Sequence, residues 1–582
     1  MKRNTYLLLL SNTFKKLSNT IICETAREFF FINKQSNLIL IQRRSMEIDI
    51  DAANTMQVDA DSYVNFFDNT TLIEIFKHLD GKSLLKVSEA CQRFEEILSN
   101  SKGLLKKIKF KISFPDDEGI EKILKGLLVC KEHLSREYLN LQIVRLRDST
   151  LNYNDEMRET FLSIVSKLAK SIINLEINNC FLLRYDITIM LSHFNNLVEM
   201  KLENLMFSDD FMPSEIAQED QLDDSLTCPN LKVLRLIQCD FYCLLLLKSH
   251  SKLHTLEISI PSYNRSDVEE LENFLLKQTE LKELILSSFR FNSSYSTQRL
   301  ENVNFQLDSL YLKDVNWDIS SHCLAFLKSQ KNLKSFSLRR FRSWILPKEA
   351  YFMWFCDAMR HVLITNPINT LCIDTTITSA YIKESEFLLD MCNSNVTQLT
   401  YICDTTDTSE FFKIFTRLFP KLQSLKFTNG CNDSTDYTLL QNLHLYKDLR
   451  KICLVSRPQM LDNFCRITVE NLTSFKFFAT NEDKSLERLK HLFSQNTKIK
   501  SIALEIEPLT IEEITELIIN FSQTLQKLRI QDLHLNATEA EMFIQNFPKL
   551  RFLCSDVPVS QDVLNILNKS NVTFRLSNGN RF

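Results

Sequence analysis

Only six of the 582 residues are glycine (Gly81, Gly103, Gly119, Gly126, Gly430 and Gly579), and no two stand at the spacing of a phosphate loop or a dinucleotide fingerprint. Those sites need glycine because backbone N–H groups must approach phosphate oxygens closely, so the common nucleotide-dependent chemistries are excluded. Catalytic constellations are missing too. The ten histidines include no His-Glu-x-x-His, there is no Gly-x-Ser-x-Gly elbow, and the paired carboxylates Glu512-Glu513 fall on an expected helix surface. Sixteen cysteines run from Cys23 to Cys554 without one Cys-x-x-Cys pair or a histidine cluster at zinc spacing; Cys239 and Cys243 are the nearest pair. They read as buried or half-buried free thiols, small hydrophobes of a reducing compartment, which points to cytoplasm or nucleus. No apolar run reaches the roughly 18 residues of a membrane helix. The formal net charge of -4 asks for neither nucleic acid nor an anionic membrane. No catalytic residue, metal or cofactor is therefore expected.

What is present is length and a period. A chain of 582 residues exceeds one ordinary core, so it is either several domains or a repeat array. Met1-Lys-Arg and Tyr6 to Leu10 hint at a signal peptide, but the apolar run is short and no small-residue cleavage site follows. The basic residues Lys15, Lys16, Arg43 and Arg44 leave a mitochondrial presequence as a weaker reading. The preferred expectation is a start at Met46 or Met56, with residues 1–62 a disordered or mis-assigned extension.

Beyond it, an apolar-x-x-apolar-x-apolar triplet recurs, from Ile172/Leu175/Ile177 and Leu197/Met200/Leu202 through Leu310/Leu312 and Leu425/Phe427 to Leu525/Leu528/Ile530, with Leu550/Leu553 beginning another. Fourteen consecutive steps from 172 to 550 fall between 22 and 35 residues, with a mean of 27. The last two apolar positions of each triplet point inward from a short strand, and their neighbours point the other way. Between triplets the apolar spacing becomes three-and-four, as in Ile511, Ile514, Leu517, Ile518 and Phe521, which predicts a helix; 267–276 and 540–547 read similarly. Weaker triplets at Leu105/Ile108/Phe110 and Leu141/Val144/Leu146 extend the array backwards. Two steps are long. One holds an acidic stretch from Asp209 to Asp224, read as a surface loop; the other holds Trp344, Phe352, Trp354 and Phe355, read as an extended core helix over an aromatic ligand site.

This periodicity resembles the leucine-rich-repeat family. The resemblance implies an α/β solenoid over 104–582, with parallel strands on a concave face and helices outside. That family favours Cys or Asn three residues past the last strand leucine; Cys180 and Cys239 match, while Leu205, Phe289, Val315, Phe341 and Leu533 depart. The intracellular, cysteine-type class is the nearer resemblance.

Residues 66–98 resemble an F-box, within a helical domain spanning 63–103. The matching features are Leu72, Ile75, Phe76 and Leu79 at helical spacing, then Leu84, Leu85 and Val87, then Cys91-Gln-Arg-Phe94 where the family has Cys-x-x-Trp. Asp80 to Ser83 supplies a turn, with Ser83 as the expected helix cap. The Leu-Pro that commonly opens the motif is Phe67-Asp68 here. The resemblance implies a three-helix F-box that docks a Skp-type adaptor, and through it a cullin, with Phe67, Leu72, Ile75, Phe76, Leu79 and Leu85 as the contact patch. Phe94 and Ile97 are expected to turn towards the first repeats. The other reading of the same residues is a buried N-terminal cap on the repeats.

The outward strand positions show a charge trend. Early repeats carry Glu176, Glu199, Glu203, Glu257 and Glu283 against Lys201 and Arg235; later ones carry Lys313, Arg339, Lys426, Lys451, Lys476, Lys527 and Arg529 against Asp374 and Glu505. Lysine and arginine make charge-assisted hydrogen bonds, so the later half is an expected cradle for an acidic or phosphorylated protein segment. The F-box and leucine-rich-repeat resemblances together imply a non-catalytic substrate receptor of a Skp-cullin-F-box ubiquitin ligase, or alternatively a leucine-rich scaffold without a ubiquitin role.

Overall fold

The computed structural model describes residues 68–90, 92–114, 120–133, 136–146, 155–207, 228–259, 265–288, 290–291, 297–317, 321–339, 348–375, 395–403, 418–429, 443–456, 468–479, 486–506 and 509–576. They fall into two compact units, Met1–His250 and Ser251–Phe582, each built on parallel strands. Phe67, Cys91, Phe289, Phe341, Trp344 and the acidic stretch 209–224 lie outside the described residues.

The first unit opens with four helices: α1 (Asn69–Phe76), α2 (Gly81–Ala90), α3 (Gln92–Asn100) and α4 (Lys102–Leu105). Five strands follow: β1 (Lys109–Ser113), β2 (Asn140–Val144), β3 (Asn174–Leu182), β4 (Glu199–Phe207) and β5 (Val233–Ile237). They pair in sequence order, every pair parallel. Parallel neighbours need a crossover, and Ile120–His133, Asp155–Ala169 and Arg184–Ser192 supply helical ones.

The second unit repeats the scheme. Its strands are β6 (Thr255–Ser259), β7 (Glu283–Ser287), β8 (Ser309–Lys313), β9 (Ser335–Arg339), β10 (Thr370–Thr375), β11 (Gln398–Cys403), β12 (Ser424–Asn429), β13 (Lys451–Ser456), β14 (Ser474–Ala479), β15 (Ser501–Glu505), β16 (Lys527–Ile530), β17 (Phe552–Ser555) and β18 (Thr573–Leu576). Each pairs in parallel with the next. Register puts like on like: Leu284 faces Leu310, Leu399 faces Leu425, and Phe475 faces Ile502. All three members of the triplets from Ile172/Leu175/Ile177 to Leu525/Leu528/Ile530 are buried. The expected helices are found at Arg265–Lys277, Ile511–Ile518 and Ala537–Asn546. The long step after Leu338 holds the helix Lys348–Thr365, whose Ala358, Met359 and Val362 are core.

Two expectations are corrected. In the first repeats the inward pairs are Phe110/Ile112 and Leu141/Ile143, because register sets them against Leu175/Ile177; Val144 points outward. Leu146 is buried one turn later. The helix cap after the first turn is Asp80, not Ser83: the helix begins at Gly81, and the Asp80 carboxylate accepts the Ser83 N–H at 2.7 Å.

Two recurrent devices hold strand to helix. Seven residues take positive φ at one place, four residues after the first inward side chain: Arg145, Asn179, Asn204, Gln238, Ser288, Asp314 and Asp532, with φ between 51° and 60°. The left-handed turn swings the next residue inward, so Leu146, Cys180, Leu205, Cys239, Val315 and Leu533 are all buried. That is the position where Cys180 and Cys239 match the repeat family and Leu205, Val315 and Leu533 depart. The site asks for a compact apolar group, which a thiol and an aliphatic side chain both satisfy. Burial pushes the Cys180 thiol up to about 11. The second device is a buried amide at the end of a helix. Gln278, Gln330, Asn366 and Asn496 accept the backbone N–H of Leu253, Leu307, Leu333 and Val469 at 3.2, 2.9, 2.9 and 2.8 Å.

Candidate functional site

The N-terminal helices are an integral part of the first unit. Leu72 and Phe76 of α1, Leu84 of α2, and Phe94, Ile97 and Leu98 of α3 share one core with Leu104, Leu105, Ile108 and Leu139. The Phe76 and Phe94 rings meet edge to face, 5.2 Å between centroids, a favoured aromatic geometry. Polar ties reinforce the seam. The Lys107 ammonium donates to the Lys77 carbonyl and, at 3.0 Å, to the Leu79 carbonyl. Arg136 reaches Ser88 Oγ at 3.0 Å and Glu95 at 3.2 Å. The α1–α2 turn lies so close to the backbone of Lys107 that a Cβ on Gly81 would stand 2.0 Å from its carbonyl oxygen. Asp68 caps α1 by accepting the Thr71 N–H at 2.6 Å, and this hydrogen bond holds its carboxyl below the usual range.

This packing divides the sequence-predicted patch. Leu72 and Phe76 are 0 % and 1 % exposed, so they serve the chain's own core and are withdrawn as contacts for a partner. Ile75, Leu79 and Leu85 are half-buried at the edge of that core, together with Ile73 and Val87. Phe94 and Ile97 belong to the same core, which also holds Leu104, Leu105, Ile108 and Leu139. The periodicity that identifies an apolar helix face does not say which half of it an intramolecular neighbour covers.

On the strand faces, register places the predicted charges. In the first unit, acid and base pair within and between strands: Lys109 on β1 with Glu176 on β3 at 2.6 Å, Lys201 with Glu203 along β4 at 2.6 Å, and Arg235 on β5 with Glu199 on the adjacent β4 at 3.6 Å. The seven basic residues of the second unit do not form one array. Lys313 and Arg339 are direct partners on β8 and β9. Lys426, Lys451 and Lys476 stand on the adjacent strands β12, β13 and β14. Lys527 and Arg529 belong to β16, where Arg529 is ion-paired to Glu505 at 2.6 Å and the Lys527 ammonium lies 5.1 Å from the centre of the Phe552 ring. The middle group brings charge together most densely. Lys426 and Lys476 oppose Cys453 from either side, and Lys451 is two residues along the same strand as Cys453. Cys453 is half-buried, and its burial raises the thiol despite both lysines.

Sequence reasoning missed the outward apolar row beside these lysines: Ile402, Val455 and Phe478, half-buried, with Thr428 aligned among them. The signal was present, since each lies one residue beyond an inward aromatic or leucine, but alternation alone marked those positions as solvent-facing. Among the described residues no group of three or more His, Cys, Asp or Glu could hold a metal ion, and no helix is long and apolar enough to cross a membrane. Compared with known proteins, the sequence matches no family model and no curated protein.

Proposed function

We propose that the chain is the substrate-recognition subunit of a Skp-cullin-F-box ubiquitin ligase: an F-box of α1 to α3 docks a Skp-type adaptor, and a leucine-rich-repeat strand face holds a target protein. The observation that carries this reading is the make-up of the helical segment. Three short helices hold an internal Leu72/Phe76/Phe94 core and still leave Ile75, Leu79 and Leu85 half-buried at its edge. Phe94 fills, from inside, the place where the resembled family has tryptophan. A segment that served only as a cap would have no need of that second apolar set. The chain itself is non-catalytic in this reading; chemistry belongs to the partner subunits, and cytoplasm or nucleus is the proposed location.

The alternative, a leucine-rich scaffold without a ubiquitin role, is favoured by one observation. The helices are clamped to β1 through Lys107 and Gly81, as a cap on the repeats would be. Co-expression of the full chain with a Skp-type adaptor separates the two. Stoichiometric co-purification, lost in Ile75→Asp/Leu79→Asp/Leu85→Asp while the circular dichroism spectrum is kept, is the expected result. A folded wild-type chain that recovers no adaptor would leave the scaffold reading standing. Leu72→Asp/Phe76→Asp does not make this test, because it buries charge in the core and unfolds the helices.

A further inference from the structure

We propose that the strand face formed by β11 to β14 is a binding site for an extended acidic peptide whose side chains alternate acidic and apolar, resting on the reading of this face as a recognition surface but not on the adaptor. Three rows of outward side chains define it. In the middle row, register aligns Thr400, Lys426, Cys453 and Lys476. On one side stand Gln398, Ser424, Lys451 and Ser474; on the other stand Ile402, Thr428, Val455 and Phe478.

Neighbouring strands are about 4.8 Å apart, so Lys426 and Lys476 lie roughly 10 Å from each other with Lys451 between them and about 7 Å to one side. Three ammonium groups on arms of about 6 Å can thus reach one small area, with the Ser424 and Ser474 hydroxyls as further donors. The apolar row runs parallel to this basic zone, about 7 Å from the middle row. An extended peptide laid across the strands presents alternate side chains to its two edges, every second residue about 7 Å apart. One edge then meets the lysines and the other meets Ile402, Val455 and Phe478. That spacing selects alternation of acid and apolar residue, a demand that a block of acid alone does not meet. Nucleic acid fits less well: it needs a long basic track, and here Arg339 and Lys313 are three and four strands away from Lys426 while Arg529 is neutralised by Glu505. Glu505, aligned with Phe478 on β15, closes the zone on that side.

The test is fluorescence anisotropy on the full chain without any adaptor, with a labelled Glu-Leu-Glu-Leu-Glu peptide as probe. Expected are saturable binding that weakens as salt rises, a loss of at least tenfold in Lys426→Glu/Lys451→Glu/Lys476→Glu, and a smaller loss in Val455→Ser/Phe478→Ser. Lys313→Glu/Arg339→Glu should bind as wild type. The block peptide Glu-Glu-Glu-Leu-Leu and a Glu-Ser-Glu-Ser-Glu peptide should both bind more weakly than the alternating one, and a phosphoserine replacing the central glutamate should bind at least as well. Equal binding of Glu-Ser-Glu-Ser-Glu, an equal loss in the Lys313/Arg339 variant, or tighter binding of a single-stranded oligonucleotide of matched charge would overturn the assignment. Should the triple variant misfold, Lys451→Glu alone, at an exposed position within its row, reads the same effect. Failure of the adaptor experiment leaves this site untouched, and failure here leaves adaptor docking untouched.

Discussion

At the residue scale, scarcity of glycine has a structural cost that the fold meets with other side chains. Left-handed backbone costs an L-residue about 1–2 kcal/mol, which asparagine and aspartate soften by local hydrogen bonding. Three of the seven repeat turns nevertheless use Arg145, Gln238 and Ser288. Arg145 is exposed with φ 60°, so Arg145→Gly is expected to raise stability by about 0.5 kcal/mol after the entropy of a freer unfolded chain is counted, whereas Arg145→Val should lower it by about 1–2 kcal/mol, both read by urea unfolding. Gly81 is the opposite case. Its need is proximity, not φ: a methyl group there would meet the Lys107 carbonyl at 2.0 Å, so Gly81→Ala should cost about 2 kcal/mol or more and loosen the helices from β1. The cap at Asp80 adds a pH dependence. Its carboxyl is held below the usual carboxylate range by the Ser83 N–H, so the stability it contributes is present above the unfolded value near 4 and is lost as pH falls through the lower folded value. Asp80→Asn should keep most of the cap and remove that acid dependence, while Asp80→Ala should lose about 1 kcal/mol at neutral pH; thermal melts at pH 7 and pH 3 distinguish them.

At the scale of elements, the strands and the helix at 511–521 were legible because burial imposes period two and period three-and-four on apolar residues. The residues that join them were not. Gln278, Gln330, Asn366 and Asn496 look like polar helix ends in the sequence, yet they are 0 %, 0 %, 7 % and 3 % exposed and satisfy buried backbone N–H groups that lie ahead of the strands. A polar side chain is read as solvent-facing until its partner is known, and these partners are 23 to 33 residues away. Gln330→Leu keeps the size and removes the acceptor, leaving the Leu307 N–H unpaired; about 1–3 kcal/mol should be lost, with faster amide exchange at Leu307. For the first repeats the wrong pair was chosen because Leu105, Ile108, Val144 and Leu146 satisfy the same apolar spacing as the true inward residues. Register against β3 decides between them, and register is a long-range property.

At the scale of the whole molecule, the sequence carried the architecture of parallel strands and helices and the existence of a helical N-terminal segment, but it could not rank surfaces. Composition shows many lysines and arginines; only the structure reveals that some, such as Arg529 beside Glu505, are ion-paired and that Lys426, Lys451 and Lys476 stand on three adjacent strands. The apolar face of the first helices was half legible for the same reason, since a helix face shows its apolar stripe without showing that Leu72 and Phe76 are already taken by the chain's own core. Among the described residues, the strands of the first unit follow helices that share an apolar core with Ile108 and Leu139, just ahead of β1 and β2. The last strand of the second unit has no such cover among the described residues: Phe574 is half-buried where Leu553, its partner on β17, is fully buried, and Leu576 is 50 % exposed.

That open last strand gives the second unit a direction of failure. Within the unit and among the described residues, β7 to β17 each pair with two neighbouring strands, and β6 and β18 with one. Drawn from the C-terminus in an optical trap, the unit should come apart as a zip does, tooth by tooth. The force trace should be a sawtooth whose early peaks are lowest and whose steps release about 25 residues each, on the order of 85 Å of contour. One tall rupture in place of that series would mean that the repeats share their load sideways through the helices more than along the sheet.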